Sequence, residues 1–162
     1  MKKLTGILFK TMIILSAMLF TYCAGAAPVI ESTSSFKDVE GKEWALSEIT
    51  KQGKTAIINR GKMEEEGMGQ YLTINFKEGS LSGTGAPNRF FGPYMAGSNR
   101  TISTGNIAST MMAAFREPDE IKEIEYFAIL SGTLSWDLKN GKLELSGINI
   151  DGTEAILVFT EK

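Results

Sequence analysis

Two residues, Asn140-Gly141, constrain this chain more than any others. They join an alternating run, Thr133 to Leu138, to a returning segment, Lys142 to Leu145. Asn-Gly between alternating apolar and polar residues is a strong two-residue hairpin signal, because both turn positions tolerate positive φ. A chain with such a hairpin near its end is committed to antiparallel β-structure there. The same grammar recurs upstream. Tyr71 to Phe76 alternates with Leu72, Ile74 and Phe76 on one face, Glu78-Gly79-Ser80 turns, and Leu81 to Gly85 returns. Trp44 and Leu46 share a face, Thr55 to Arg60 reads as a β-branched strand, and Thr101 to Thr104 reads as a short one. After an Asp151-Gly152 turn, Ala155 to Phe159 reads as a buried strand.

One segment breaks the period of two. Glu117-Pro118-Asp119-Glu120 carries proline and acids suited to a helix start, and Gly132 suits its end. The spacing predicts a helix between them that buries Ile121, Ile124, Phe127 or Ala128, and Leu130 or Ser131. The glycine-rich acidic stretch from Gly61 to Gln70 reads as a solvated loop, since consecutive carboxylates repel and do not alternate as a calcium loop requires. Seven to eight short strands with one main helix packed on them give an α+β domain with a mostly antiparallel sheet, spanning residues 36–162.

The N-terminus has a different character. Met1-Lys2-Lys3 precedes an apolar run that is clearest from Thr11 to Phe20, and Ala24-Gly25-Ala26 matches a small-x-small cleavage pattern. The run is interrupted by Lys10 and falls short of the roughly 20 apolar residues a spanning helix needs. Residues 1–26 read as an export signal and residues 27–35 as a linker. Two processing routes fit: cleavage after Ala26, or lipidation at Cys23, where bulky Tyr22 stands in place of the small residue a lipobox wants. Either route places the protein in the periplasm or cell envelope. Removing the leader takes away Lys2, Lys3 and Lys10 and no acid, so the net charge moves from −2 to −5. An acidic domain without a Lys/Arg cluster argues against nucleic acid as a partner and against charge-driven membrane binding. A lipid on Cys23 is then the expected membrane contact, and a monomer the expected state.

The chain has no histidine, and its single cysteine lies in the leader. The commonest general base and transition-metal ligand are therefore missing, and a mature domain has no thiolate. No cofactor, metal site or catalytic constellation is expected. Ser109 and Thr110 lack a base. The acids Glu117, Asp119, Glu120 and Glu123 read as dipole complement at a helix start, and Met111-Met112 as packing.

Two motifs remain. The first is Leu81-Ser82-Gly83-Thr84-Gly85-Ala86-Pro87-Asn88-Arg89-Phe90-Phe91-Gly92-Pro93-Tyr94, and the second is Gly105-Asn106-Ile107-Ala108-Ser109-Thr110-Met111-Met112-Ala113-Ala114. Together they resemble the core signature of the META domain, the HslJ-like family of bacterial envelope proteins. Asn88, Arg89, Phe90, Gly92 and Tyr94 match the first family motif. Ile107, Ala108, Thr110, Met112 and Ala113 match the second. The resemblance implies a non-enzymatic exported protein of the envelope, active in stress tolerance; relatives are linked to heat-shock response and novobiocin resistance. It also implies that Ala86-Pro87 and Ala114 stand where many relatives carry cysteines, so the 86–87 turn is expected against Ala114. From the residues alone, Asn88 and Arg89 are the leading polar candidates, with turn chemistry weighed against anion binding. An alternative function is a small binding or inhibitor module that presents a Phe90–Tyr94 loop.

Overall fold

A computed structural model describes residues 34–162. The leader, Cys23 and linker residues 27–33 lie outside the described residues. Ten strands form one antiparallel sheet: β1 (Glu43–Lys51), β2 (Lys54–Ile57), β3 (Thr73–Lys77), β4 (Ser80–Thr84), β5 (Arg89–Ala96), β6 (Ile102–Thr104), β7 (Ala108–Ser109), β8 (Thr133–Lys139), β9 (Lys142–Ile148) and β10 (Glu154–Glu161). The main path runs β6-β5-β4-β3-β1-β10-β9-β8, with β2 beside β1 and β7 beside β5. The two end strands approach each other. Thr101 bridges Ser135, and the Trp136 N–H donates to the Arg100 carbonyl at 2.9 Å. The sheet is therefore a nearly closed barrel, which leaves little edge to protect.

Two helices accompany it, α1 (Arg60–Glu65) and α2 (Glu123–Ser131). The expectation of seven to eight strands and one main helix thus undercounts both, and the α+β balance shifts toward β. The Gly/Pro-punctuated stretch after Ala86 is strand β5. Its Pro93 lacks a donor on the edge away from β4, between the short partners β7 and β6, where no ladder bond is needed. The acidic stretch after Arg60 is partly helix α1, tied down by the Arg60 guanidinium, which donates to the Tyr71 and Gly69 carbonyls at 2.8 and 2.5 Å. Met63 and Met68 are buried beneath it. Helix α2 starts six residues later than Glu117 and buries Tyr126, Ile129 and Leu130, while Ile124 faces water.

Turn chemistry is as expected at Asn140-Gly141, where φ is +52° and +76°, and at Glu78-Gly79, where it is +50° and +78°. The barrel interior is apolar and is closed differently at its two ends. At one end, a 3-10 turn (Phe36–Asp38), capped by Ser35, inserts Phe36 among Phe76, Tyr94 and Trp136 at centroid distances of 5.1–5.3 Å. At the other end, α2 lies across the mouth, where Tyr126 and Phe127 meet Phe90.

Candidate functional site

The two sequence motifs meet beside the start of α2. The chain leaves β4 at Gly85, passes a cis Ala86–Pro87 bond, and enters β5 at Arg89. Asn88 is buried there and uses its full hydrogen-bonding capacity. Its Nδ2 donates to the Met112 carbonyl at 3.0 Å and to Glu123 Oε2 at 2.6 Å. Its Oδ1 accepts from the Thr110 hydroxyl at 2.8 Å and the Met112 N–H at 2.6 Å. An amide side chain has two donors and two acceptor positions, so none is left for a ligand.

Glu123 completes the junction. Its Oε1 accepts from the Ala86 and Asn88 backbone N–H groups at 2.5 and 2.6 Å. As the first residue of α2, its carboxylate also lies at the positive end of the helix dipole. The sequence reading gave Glu123 only the part of dipole complement at a helix start; it is also the part-buried acceptor that fastens the 86–88 turn to the helix. Gly85 makes the approach possible, because a Cβ there would fall 2.5 Å from Glu123 Oε1 and 2.7 Å from the Phe127 ring.

The other predicted residues are dispersed. Thr110 belongs to the junction through its hydroxyl, which also accepts from the Arg89 N–H at 3.2 Å. Met112 joins through its backbone; its side chain is 54% exposed and that of Met111 is 98% exposed, so the reading of Met111-Met112 as packing is corrected. Phe90 points inward to Tyr126. Gly92 is buried, and a Cβ there would lie 3.0 Å from the Asn106 carbonyl. Tyr94 lies at the far end of β5, where its hydroxyl donates to Glu40. Burial, then that hydrogen bond, push the Tyr94 phenol up to about 12. The expected seat of the Ala86–Pro87 turn on Ala114 is also corrected. Ala86 is fully buried while Ala114 is exposed, and Asn88 supplies the link between the two segments through polar bonds.

Outside the barrel, the face of β5 carries Arg89, Phe91, Pro93 and Met95, all exposed. Arg89 and Phe91 border an open depression of about 500 Å³ with Glu43, Asn75, Ser82 and Thr84. At the α2 end, Lys51 Nζ donates to both Glu125 carboxylate oxygens at 3.0 Å, and Asn149 Nδ2 donates to Oε1 at 2.9 Å. Lys51 and Asn149 had no signal in the sequence, because their shared partner Glu125 lies 74 and 24 residues away along the chain. Among the described residues no group of His, Cys, Asp and Glu could hold a metal ion, and no helix is long and apolar enough to cross a membrane.

The META domain model matches residues 37–162. The fold is similar to that of a protein from Burkholderia xenovorans solved by NMR, with a TM-score of 0.56 at 17% identity over 84% of this chain and 97% of that one. It is also similar to the crystal structure of a DUF4847 family protein from Bacteroides vulgatus, with a TM-score of 0.50 at 14% identity over 77% and 95%. No curated protein matches the sequence.

Proposed function

We propose, from the premise that the chain belongs to the META domain family, that it is a non-enzymatic, exported protein of the bacterial envelope acting in stress tolerance. The observation that carries the non-enzymatic part is the closed hydrogen-bonding of Asn88. Its four positions are spent on Met112, Thr110 and Glu123. A motif whose polar atoms satisfy one another holds loops in place and has no nucleophile–base pair to offer a substrate. The leader pattern supports export.

Intact mass of the protein from membrane and soluble fractions of the native host tests the location. A mature mass beginning at Ala27, or at a lipidated Cys23, in the envelope fraction agrees with the proposal. A full-length mass confined to the cytosol overturns it. For the stress role, a deletion strain should lose viability under heat or novobiocin and regain it with the intact gene; unchanged viability refutes that part.

The second reading, a small binding or inhibitor module, is favoured by the outward face of β5. Phe91 and Met95 are 64% and 73% exposed there, beside Arg89. Contact surfaces are marked by contiguous exposed apolar area rimmed by polar residues, and this face has that composition. In this reading the presented element is a rigid strand face and not a Phe90–Tyr94 loop, since Phe90 and Tyr94 point inward.

A further inference from the structure

We infer that the 110–116 loop is a lipid-contacting tip, with Met111, Met112 and Phe115 entering the acyl boundary of a phospholipid surface and Arg116 and Arg89 meeting its phosphates. Met111 and Phe115 are 98% and 95% exposed. Ala113 and Ala114 between them are exposed too, so five successive apolar residues face water.

This exposure is built. At one side the Thr110 N–H donates to the Arg89 carbonyl at 3.0 Å, and both backbone groups of Met112 are held by Asn88. At the other, Glu117 accepts from the Glu123 N–H at 3.0 Å and pairs with Lys122, and Pro118 is buried. The apolar residues thus project between two fixed points. They form an exposed knob, which suits a deformable medium better than a preformed pocket.

The charges agree. Arg60 is spent on carbonyls and Arg100 on Asp137, whereas Arg89 and Arg116 have no carboxylate in ion-pair range among the described residues. Arg116 follows Phe115 directly, and the Arg89 backbone holds Thr110 at the other side of the knob. Of the acids that follow Arg116, Glu117 pairs with Lys122 and Asp119 with Lys62, while Glu120 has no ion pair among the described residues. Apolar side chains that insert, with arginines at headgroup depth, are the pattern of interfacial binding. The domain is acidic overall, so insertion must supply most of the attraction and the arginines set depth. Such contact is reversible alone and becomes firm with a second signal, which a lipid on Cys23 would provide. The inference therefore goes beyond the sequence expectation that only an anchor touches the membrane.

The test places one reporter in the full chain. Trp44 and Trp136 are buried, so Phe115→Trp reads the loop, and Ile57→Trp, at a position 72% exposed elsewhere, reads the general surface. Each is mixed with vesicles of phosphatidylcholine or phosphatidylglycerol carrying brominated acyl chains. The expected result is a blue shift and strong quenching at position 115 and none at 57, with affinity for phosphatidylglycerol falling severalfold in Arg89→Ala/Arg116→Ala and little changed for phosphatidylcholine. Equal quenching at both positions would mean that the leader alone brings the chain to lipid. No quenching at 115 with either vesicle would assign the knob to a protein partner. Either result overturns the inference. The measurement is made in vitro, so it stands or falls separately from export.

Discussion

The two ends of the barrel are closed by opposite means. The Phe36 end is a dry plug: Phe36, Phe76, Tyr94 and Trp136 meet edge to face or tilted, and the Trp44 indole N–H finds the Val39 carbonyl at 3.0 Å. The α2 end is a polar latch. The four buried polar residues among those described, Thr73, Asn88, Thr133 and Asn149, are tied to α2 there. Thr133 donates to the Ile129 carbonyl, the Tyr126 hydroxyl donates to the Thr73 carbonyl, and Asn88 and Asn149 bind the carboxylates of Glu123 and Glu125. A dry plug tolerates size changes at the cost of a cavity; a latch is all-or-none, since each lost partner leaves another group buried and unpaired. The apolar loop and the two motifs hang from the latch, so the end with the more exacting chemistry is the end that positions the exposed surface.

The comparison can be broken by substitution. Asn88→Ala should have the largest effect, a loss of about 4 kcal/mol in urea unfolding, because it strands the Glu123 carboxylate and the Met112 backbone together. A loss under about 1 kcal/mol would mean that water replaces the amide freely and the latch is not a buried unit. Phe36→Ala should cost about 3 kcal/mol, the usual toll of emptying an aromatic core site. The two sites are roughly 20 Å apart along β5, so the double variant should be additive to within about 0.5 kcal/mol. A larger coupling would show that the ends communicate through the sheet.

Lys51→Met should cost less, about 1 kcal/mol, because Lys51 and Glu125 are 32% and 20% exposed and water screens the pair. Its cost should shrink further in high salt, while that of Phe36→Ala should not. Smallest at neutral pH is Tyr94→Phe. Burial and the Glu40 hydrogen bond raise the folded phenol from its ordinary value of 10.0 to about 12, so its contribution is fully present below pH 10 and is lost as pH rises toward 12. The substitution should flatten the fall of stability over that window. Tyr126, raised further by complete burial, should keep the remainder of the alkaline slope. An unchanged slope in Tyr94→Phe would place the whole alkaline sensitivity at the latch.

Much of the plug was legible. Trp44, Leu46, Leu72, Ile74 and Phe76 announce their inward face by alternation, and the Asn140-Gly141 turn sets the β8–β9 register. The latch was not legible, for a physical reason. Glu117, Pro118 and Asp119 look like the first turn of a helix, yet Glu117 reaches forward six residues to accept from the Glu123 N–H, the first unpaired donor of α2. The signal for a helix start was present and belonged to the segment that caps it. Likewise Glu123 serves a turn 35 residues earlier in the chain, and local pattern carries no information at that distance. Asn88 and Thr110, both motif residues, meet in one hydrogen-bonded junction, but composition could not say that their polarity was turned inward.

The long ladder between β1 and β10 has a consequence for how the barrel comes to exist. Trp44 stands opposite Glu161, and the pairing continues to Lys51 opposite Ala155. The central strand of the sheet thus takes its main neighbour from more than a hundred residues downstream. Such topology raises contact order and slows folding, because the loop must close before any of its contacts reward it. A ribosome making this chain would release β1 through β9 before the strand that completes the core. Until then the apolar faces of β1 and β9 have no shared partner, and the nascent domain depends on whatever holds it from misassociation in that interval.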